Sequence, residues 1–249
     1  MNGNWMQVGR NAMEALEVVG RLQARVAPDA GAADAHARVS LSVHDLELWR
    51  GDYCVCTDLT AEVHSGQLLH LRGSNGAGKT SLIRVLAGLA LAEAGEVRLD
   101  GDPITQRMTA FRAVISYVGH SNGIKRELTP VENLRVTARL ALDPSSNGPE
   151  SALERVGLSA HMNHYCGELS AGQRRRTALA RLLVTNAPIW FLDEPLVSLD
   201  YEGAGLVEEL IREHLERGGI TVLATHQPID LTGLEVVAVD LPEGRSRQC

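Results

Sequence analysis

The chain has few cysteines, no excess of basic residues and no long apolar run, and each shortage argues against a class of protein. Its four cysteines offer no second pair and no histidine cluster at zinc-ligand spacing. The net charge of -7 disfavours a surface built for nucleic acid phosphates, so no nucleic acid partner is expected. The most apolar stretch, residues 81–95, contains Arg84 and Glu93 and is shorter than the roughly 20 residues of a membrane-spanning helix. Contact with a membrane is therefore expected only through a partner chain.

The sequence divides into an N-terminal extension, residues 1–39, and a main domain, residues 40–249. The extension has apolar positions at helical spacing and then an Ala-, Gly- and Asp-rich stretch, which indicates an amphipathic helix plus a linker. A weakly ordered tail and an over-long gene start stay open as alternatives.

Strand-like and helix-like segments alternate in the main domain, which predicts an α/β fold with a largely parallel core sheet. Helical patterns alone occupy residues 126–187, which predicts an inserted helical subdomain. The predicted strands are residues 39–43, 54–63, 67–71, 96–99, 114–118, 189–192, 220–224 and 236–239, and the predicted helices are residues 79–92, 129–142, 172–185 and 203–217.

A glycine-rich loop follows the third predicted strand and fits the pattern G-x-x-x-x-G-K-[ST] at every position. Its glycines let backbone N–H groups approach phosphate oxygens, and the helix that follows adds a positive N-terminal dipole. Lys79 is predicted to reach the β- and γ-phosphates, and the Thr80 hydroxyl to ligate Mg²⁺. The residues predicted to bind ATP are Gly73, Ser74, Asn75, Gly76, Ala77, Gly78, Lys79, Thr80 and Ser81.

Two carboxylates close an apolar strand near residue 190, at the strand edge where α/β sheets place their chemistry. Asp193 is the predicted second anchor of Mg²⁺, and Glu194 the predicted general base for the attacking water. A strand that ends in an Asp-Glu-Pro turn is also a common structural feature. His226 ends a further apolar strand and is predicted to contact the γ-phosphate or the attacking water; a lone histidine at this place is more often an exposed turn residue.

The segment Leu169-Ser170-Ala171-Gly172-Gln173 has an ordinary explanation as a capping box that opens a helix. It also resembles the L-S-G-G-Q signature of ABC ATPases, with alanine in place of one glycine, and the other motifs follow in that family's order. The resemblance implies a P-loop NTPase of ABC type with a small antiparallel β part, a homodimer, and ATP and Mg²⁺ as ligands. It implies that Ser170, Ala171, Gly172 and Gln173 act on ATP held by the second subunit, that Asp200 communicates across the dimer, and that His226 is the switch histidine.

The run from Gly119 to Leu134 is similar to the CcmA family, the ABC ATPases of bacterial cytochrome c maturation. That resemblance implies an ATP hydrolase at the cytoplasmic face of the bacterial inner membrane, peripheral and bound to a membrane subunit resembling CcmB. The implied function is haem export or release of a haem chaperone. His120 stands where general ABC ATPases carry a metal-side glutamine, with Ser121 as the alternative residue for that role.

The sequence leaves three points open. The alternatives to the CcmA function are another ABC transporter and a soluble ABC ATPase that drives iron–sulfur cluster assembly. The adenine-stacking aromatic expected near Arg50 is missing, and Trp49, Tyr53 or the Arg50 guanidinium is expected to replace it. The run Arg174-Arg175-Arg176 is interpreted as a solvated helix face.

Overall fold

The computed structural model describes residues 13, 15–18, 20 and 39–242. The strands are β1 (Ser40–Arg50), β2 (Tyr53–His64), β3 (Gln67–Arg72), β4 (Ala94–Leu99), β5 (Asp102–Pro103), β6 (Ile115–Val118), β7 (Ile189–Asp193), β8 (Ile220–Ala224) and β9 (Glu235–Asp240). The helices are α1 (Lys79–Leu86), α2 (Met108–Ala113), α3 (Pro130–Leu140), α4 (Pro149–Arg155), α5 (Ala171–Leu183) and α6 (Tyr201–Glu216), with short 3-10 helices at Ile104–Arg107 and Ser159–His161.

A five-stranded parallel sheet in the order β6-β7-β8-β3-β9 forms the centre of the domain. Every residue of β7 and β8 is buried, because helices or the second sheet cover both faces. Strands β3, β8 and β7 are neighbours, so the loops that leave their carboxyl ends converge at one edge of the sheet.

A four-stranded antiparallel sheet, in the order β2-β1-β4-β5, packs against one face of the parallel sheet. The apolar core between them includes Leu41, Val63, Ile83 and Phe111. A second core lies on the opposite face, where Leu153, Leu179 and Ile211 pack from the helices. The parallel sheet is thus the middle layer of the domain.

Helices α3, α4 and α5 form a subdomain between β6 and β7. Thr129 caps α3: its hydroxyl accepts the Glu132 N–H, the Glu132 carboxylate accepts the Thr129 N–H, and Pro130 occupies the first helical turn. Sequence periodicity located this helix and α5 to within two residues at either end.

The structure differs from the predicted elements in several places, and the short strand β5 is one that was not predicted. β1 continues to Arg50, beyond the predicted end at residue 43. The second half was not predicted because Asp45, at φ +48°, introduces a bulge that shifts the alternation of buried residues. α1 ends at Leu86 instead of residue 92, because Gly88 turns the chain left-handed at φ +64°. Helices α2 and α4 were not predicted, since six or seven residues are too few to show a helical period.

The described part of the N-terminal extension is helical at residues 13, 15–18 and 20, and Ala15 and Val18 are buried in the first core. Most of the predicted amphipathic segment and its linker lies outside the described residues. Among the described residues, no helix combines the length and the apolar character that a membrane crossing requires.

Candidate active site

The phosphate-binding loop connects β3 to α1 and is tightly packed at its end. Gly78 has φ +103°, and a Cβ there would come within 2.5 Å of Val55 Cγ1, so only glycine fits. Lys79 is 5% exposed, and its ammonium donates to the carbonyls of Gly73 at 2.8 Å and Ser74 at 3.0 Å. The loop is therefore closed on itself by the lysine that the motif supplies.

The other predicted ATP-binding residues surround this lysine. Ser74, Asn75, Gly76 and Thr80 are exposed, whereas Gly73, Ala77 and Ser81 are half-buried. The exposed backbone of the loop, followed at once by the N-terminus of α1, is the arrangement that binds phosphate oxygens.

Thr80 and Asp193 come together although 113 residues separate them: the Thr80 hydroxyl donates to Asp193 Oδ1 at 3.0 Å. Asp193 is completely buried at the end of β7, and burial raises the pKa of its carboxyl, partly offset by the bond from Thr80. His120 is exposed in the loop after β6, and its electrostatic interaction with Asp193 is a minor influence that lowers the pKa of that carboxyl. A hydroxyl and a carboxylate side by side are oxygen ligands of the kind Mg²⁺ prefers.

The Glu194 carboxylate lies at the convergence of three segments. Its Oε1 accepts from His226 Nδ1 at 2.9 Å and lies 3.9 Å from the Lys79 ammonium. Its Oε2 accepts from the Thr225 hydroxyl at 3.2 Å and from the His226 N–H at 3.4 Å. The three strand ends thus bring the predicted base, switch histidine and phosphate lysine into one cluster.

The backbone of Glu194 is left-handed, with φ +51°. A non-glycine residue reaches this region only when its surroundings stabilise it, and such residues concentrate at active sites.

The predicted signature forms the N-terminus of α5, on the surface. The Ser170 hydroxyl accepts the Gln173 N–H, and the Gln173 side chain accepts the Ser170 N–H, which makes the expected capping box. Ser170 and Ala171 are exposed, but a Cβ on Gly172 would lie 2.9 Å from the Ser198 carbonyl oxygen. Position 171 of the signature therefore tolerates alanine, whereas position 172 requires glycine.

Asp200 lies beside the signature and is likewise exposed. Its carboxylate accepts the Gly203 N–H at 2.8 Å, which caps α6, and pairs with Arg176 at 3.0 Å. The Gly203 bond is the main cause that lowers the pKa of Asp200. Asp200 thus has a structural role within this chain in addition to the role predicted across a dimer.

Sequence reasoning missed two residues that contact the acidic strand end. The Tyr117 hydroxyl donates to Asp193 Oδ2 at 3.4 Å, and burial raises the pKa of Tyr117 to about 12. Arg175 is 2% exposed, so the interpretation of the three arginines as a solvated face is wrong for this residue. Helical phase was the available signal, because Arg175 shares the face of Ala178, Leu179 and Leu182, all buried.

The β1–β2 hairpin flanks the phosphate-binding loop and distinguishes the predicted adenine-stacking residues. Tyr53 lies opposite Arg50 and two residues before Val55, which contacts Gly78, so Tyr53 and Arg50 share the face turned to the loop. Trp49 pairs with Cys54 on the other face, where its indole N–H donates to Glu47 at 2.7 Å.

Comparisons with known proteins identify the family of the chain. Residues 56–197, more than half of the chain, match the family model described as ABC transporter. The chain belongs to the ABC transporter family. The predicted α/β fold of ABC ATPase type is confirmed, and so is the assignment as an ABC-type ATP hydrolase.

Curated relatives and a solved structure are similar to most of this ABC ATPase. The chain is 45% identical over 192 residues to the cytochrome c biogenesis ATP-binding export protein CcmA of Dechloromonas aromatica, covering 77% of this chain and 94% of the relative. It is 42% identical over 200 residues to the CcmA protein of Saccharophagus degradans, covering 77% and 89%. A solved ABC transporter ATP-binding protein from Pyrococcus furiosus is similar with a TM-score of 0.70 and 28% identity, covering 81% of this chain and 97% of that one. The predicted resemblance to CcmA is confirmed.

Proposed function

We propose that this chain is the ATP-binding and ATP-hydrolysing subunit of an ABC complex in bacterial c-type cytochrome biogenesis, where it drives haem export or release of a haem chaperone. The observation that carries the proposal is the 45% identity to a CcmA protein across 94% of that protein's length. The loop from Gly119 to Leu134, which resembles the CcmA family in sequence, supports the same assignment.

Glu194 is the general base of the proposed reaction. Its carboxylate takes a proton from the attacking water while Lys79 neutralises charge on the phosphates and His226 orients the carboxylate through its 2.9 Å bond. Thr80 and Asp193 would hold Mg²⁺, with His120 or Ser121 near it, and the bound cation would neutralise the β- and γ-phosphate oxygens. The 3.0 Å bond between the Thr80 hydroxyl and the Asp193 carboxylate supports this placement.

A homodimer completes the site in this proposal. Ser170, Gly172 and Gln173 are presented at an exposed helix N-terminus, where a phosphate held by a second copy would find N–H donors and a positive dipole. Asp200 borders the same surface, in keeping with its proposed role in communication across the dimer.

The membrane partner, a subunit resembling CcmB, is proposed to bind beside the helical subdomain at the cytoplasmic face of the inner membrane. A cleft of about 660 Å³ lies between β6 and α2 on one side and the ends of α3 and α5 on the other, and Ala15 of the N-terminal extension also lines it. The apolar side chains in its wall include Val118, Leu140, Leu142 and Leu182. Leu140 is 80% exposed, and an exposed apolar residue at the rim of an apolar cleft is typical of a surface that binds another protein.

Recovery of a Glu194→Gln variant from membranes tests the proposal. The variant, tagged and expressed in its own host, should retain ATP and keep the dimer and its membrane partner together. We expect it to co-purify with a small multi-span subunit of the cytochrome c maturation machinery. Recovery with scaffold proteins in the soluble fraction would instead support the second candidate function, iron–sulfur cluster assembly, and recovery with a different multi-span subunit would support another ABC transporter.

A further inference from the structure

The guanidinium of Arg175 makes hydrogen bonds with all its donor groups, although no motif assigns this residue a role. It projects from α5, two positions after the signature, and donates to the carbonyls of Pro195 at 3.0 Å, Asp193 at 3.1 Å, Glu194 at 2.7 Å and Gly119 at 2.7 Å. A fifth bond ends on Asn122 Oδ1 at 3.1 Å. A guanidinium has five N–H donors, so its capacity is filled.

Three of these acceptors are consecutive carbonyls, at Asp193, Glu194 and Pro195. They surround the residue whose backbone is left-handed at φ +51°. A non-glycine residue keeps such a strained conformation only where neighbouring groups hold it. The planar, rigid fork of arginine is suited to fixing several carbonyls in one arrangement.

All five bonds of Arg175 end on carbonyl or amide oxygens, and none ends on a carboxylate. Burial lowers the pKa of Arg175, and the charges of Asp193 and Glu194 offset part of that effect. A buried charge is costly even when it is hydrogen-bonded, so packing alone would be served better by an apolar residue. The backbone carbonyls that Arg175 holds in place explain why an arginine is buried here.

We propose that Arg175 is a positioning residue for ATP hydrolysis: it holds the backbone that presents the Glu194 carboxylate and ties it to the signature helix, α5, and to the loop at residues 119–122. Movement of α5 is then transmitted to the base and to the loop through one rigid group. The proposal rests on ATP hydrolysis by this chain and is independent of which membrane partner binds.

The first test is steady-state hydrolysis of Mg-ATP by the full chain carrying Arg175→Lys. Lysine keeps the charge but loses the planar fork, so the base is displaced while the phosphate-binding loop stays intact. We expect kcat to fall roughly a hundredfold, the effect of a misplacement of about 1 Å, with the ATP dissociation constant changed by no more than about threefold.

The matched control is Arg181→Lys on the same helix. Arg181 donates to the carbonyls of Asn122 and Gly123 but has no described bond to residues 193–195. This variant loosens α5 against the same loop and should stay within about threefold of the parent kcat. Equal losses in the two variants would overturn the proposal.

A double-variant comparison separates positioning from a general structural role. If Arg175 acts through the Glu194 carboxylate, Arg175→Lys should cost about threefold or less in single-turnover hydrolysis once Glu194→Gln is present, because coupled sites are not additive. The same hundredfold loss in both backgrounds, or a parallel loss of ATP affinity, contradicts the proposal.

If Arg175→Lys fails to fold, the kcat of Asn122→Ala tests the proposal instead. It removes only the side-chain acceptor of the guanidinium, and we expect kcat to fall about tenfold, as for one lost bond to a charged group. A parent-like kcat in a well-folded Asn122→Ala protein counts against the proposal. None of these outcomes depends on the co-purifying membrane subunit, so they are distinguishable from failure of the proposed cellular function.

Discussion

The phosphate-binding side and the signature side of the domain are built in opposite ways. On the first, Lys79 is 5% exposed, Asp193 is fully buried, and both are bonded within the chain. On the second, Ser170 and Ala171 are exposed and the Asp200 side chain is 70% exposed. The predicted catalytic groups lie at strand ends and are bonded within the chain, whereas the residues proposed to bind a second subunit lie on an exposed helix N-terminus. The two sides should therefore respond differently to substitution.

Glu194→Gln should produce the largest effect and leave the signature side unaltered. Loss of the proposed general base is expected to lower kcat about a thousandfold, within the range of general base catalysis. ATP affinity should be unchanged, because Lys79 and the loop backbone remain, and the ATP-bound dimer should accumulate. Phosphate release and size-exclusion chromatography with ATP measure the two quantities. Full turnover by this variant would place the base elsewhere.

Lys79→Ala breaks the phosphate-binding side itself. Removing the ammonium deletes charge-assisted bonds to phosphate, which predicts about a hundredfold weaker ATP binding at 1.5–3 kcal/mol per bond. Isothermal titration of the monomeric protein measures this directly. Ala171→Asp is the matched variant on the signature side, because Ala171 is exposed: its nucleotide affinity as a monomer should stay near the parent value while ATP-driven association is lost. An equal loss of affinity in both variants would contradict the division into two sides.

Protonation of a buried core residue should destabilise the phosphate-binding side and the signature side alike, and His214 is such a residue. Its ring stacks on Trp190 at 3.9 Å between ring centroids, and burial lowers its pKa from 6.5 to about 3. As the pH falls, His214 is protonated in the unfolded chain before it is protonated in the folded protein. The free energy of unfolding is therefore fully retained above pH 6.5 and decreases as the pH falls from 6.5 towards 3. The free energy of unfolding is expected to fall by about 1.4 kcal/mol per pH unit, or about 2 kcal/mol between pH 6.5 and 5.

Urea unfolding across this pH range checks the His214 prediction. His214→Phe keeps an aromatic ring against Trp190 but does not titrate, so the difference between parent and variant isolates one histidine from the other ionisable groups. A difference that does not change with pH would show that His214 does not titrate as expected.

Tyr53→Ala should give the smallest effect, restricted to the phosphate-binding side. Loss of a stacking face is expected to weaken ATP binding about tenfold, since base–aromatic stacking contributes about 1–3 kcal/mol. Trp49→Ala, on the opposite face of the same hairpin, is the control and should bind ATP like the parent. The reverse ranking would assign the adenine to Trp49.

Sequence reasoning located the phosphate-binding side because its information is local. Lys79 follows a fixed glycine spacing, and Asp193, Glu194 and His226 each end an apolar strand, so the order of motifs was enough to name them. It failed for Arg175, whose role depends on carbonyls of residues 119 and 193–195 that only the fold brings together. The bulge at Asp45 and the short helices α2 and α4 were missed for a related reason: local periodicity is interrupted or too brief there.

The bonds from Lys79 to the carbonyls of Gly73 and Ser74 have a consequence for the kinetics of nucleotide exchange. A loop cross-linked by its own ammonium has little conformational entropy left to lose when a ligand arrives, and phosphate oxygens can replace the two carbonyls one for one. Association should then be governed by diffusion and orientation rather than by rearrangement of the loop. Differences in affinity among nucleotides would appear in how long each one stays bound.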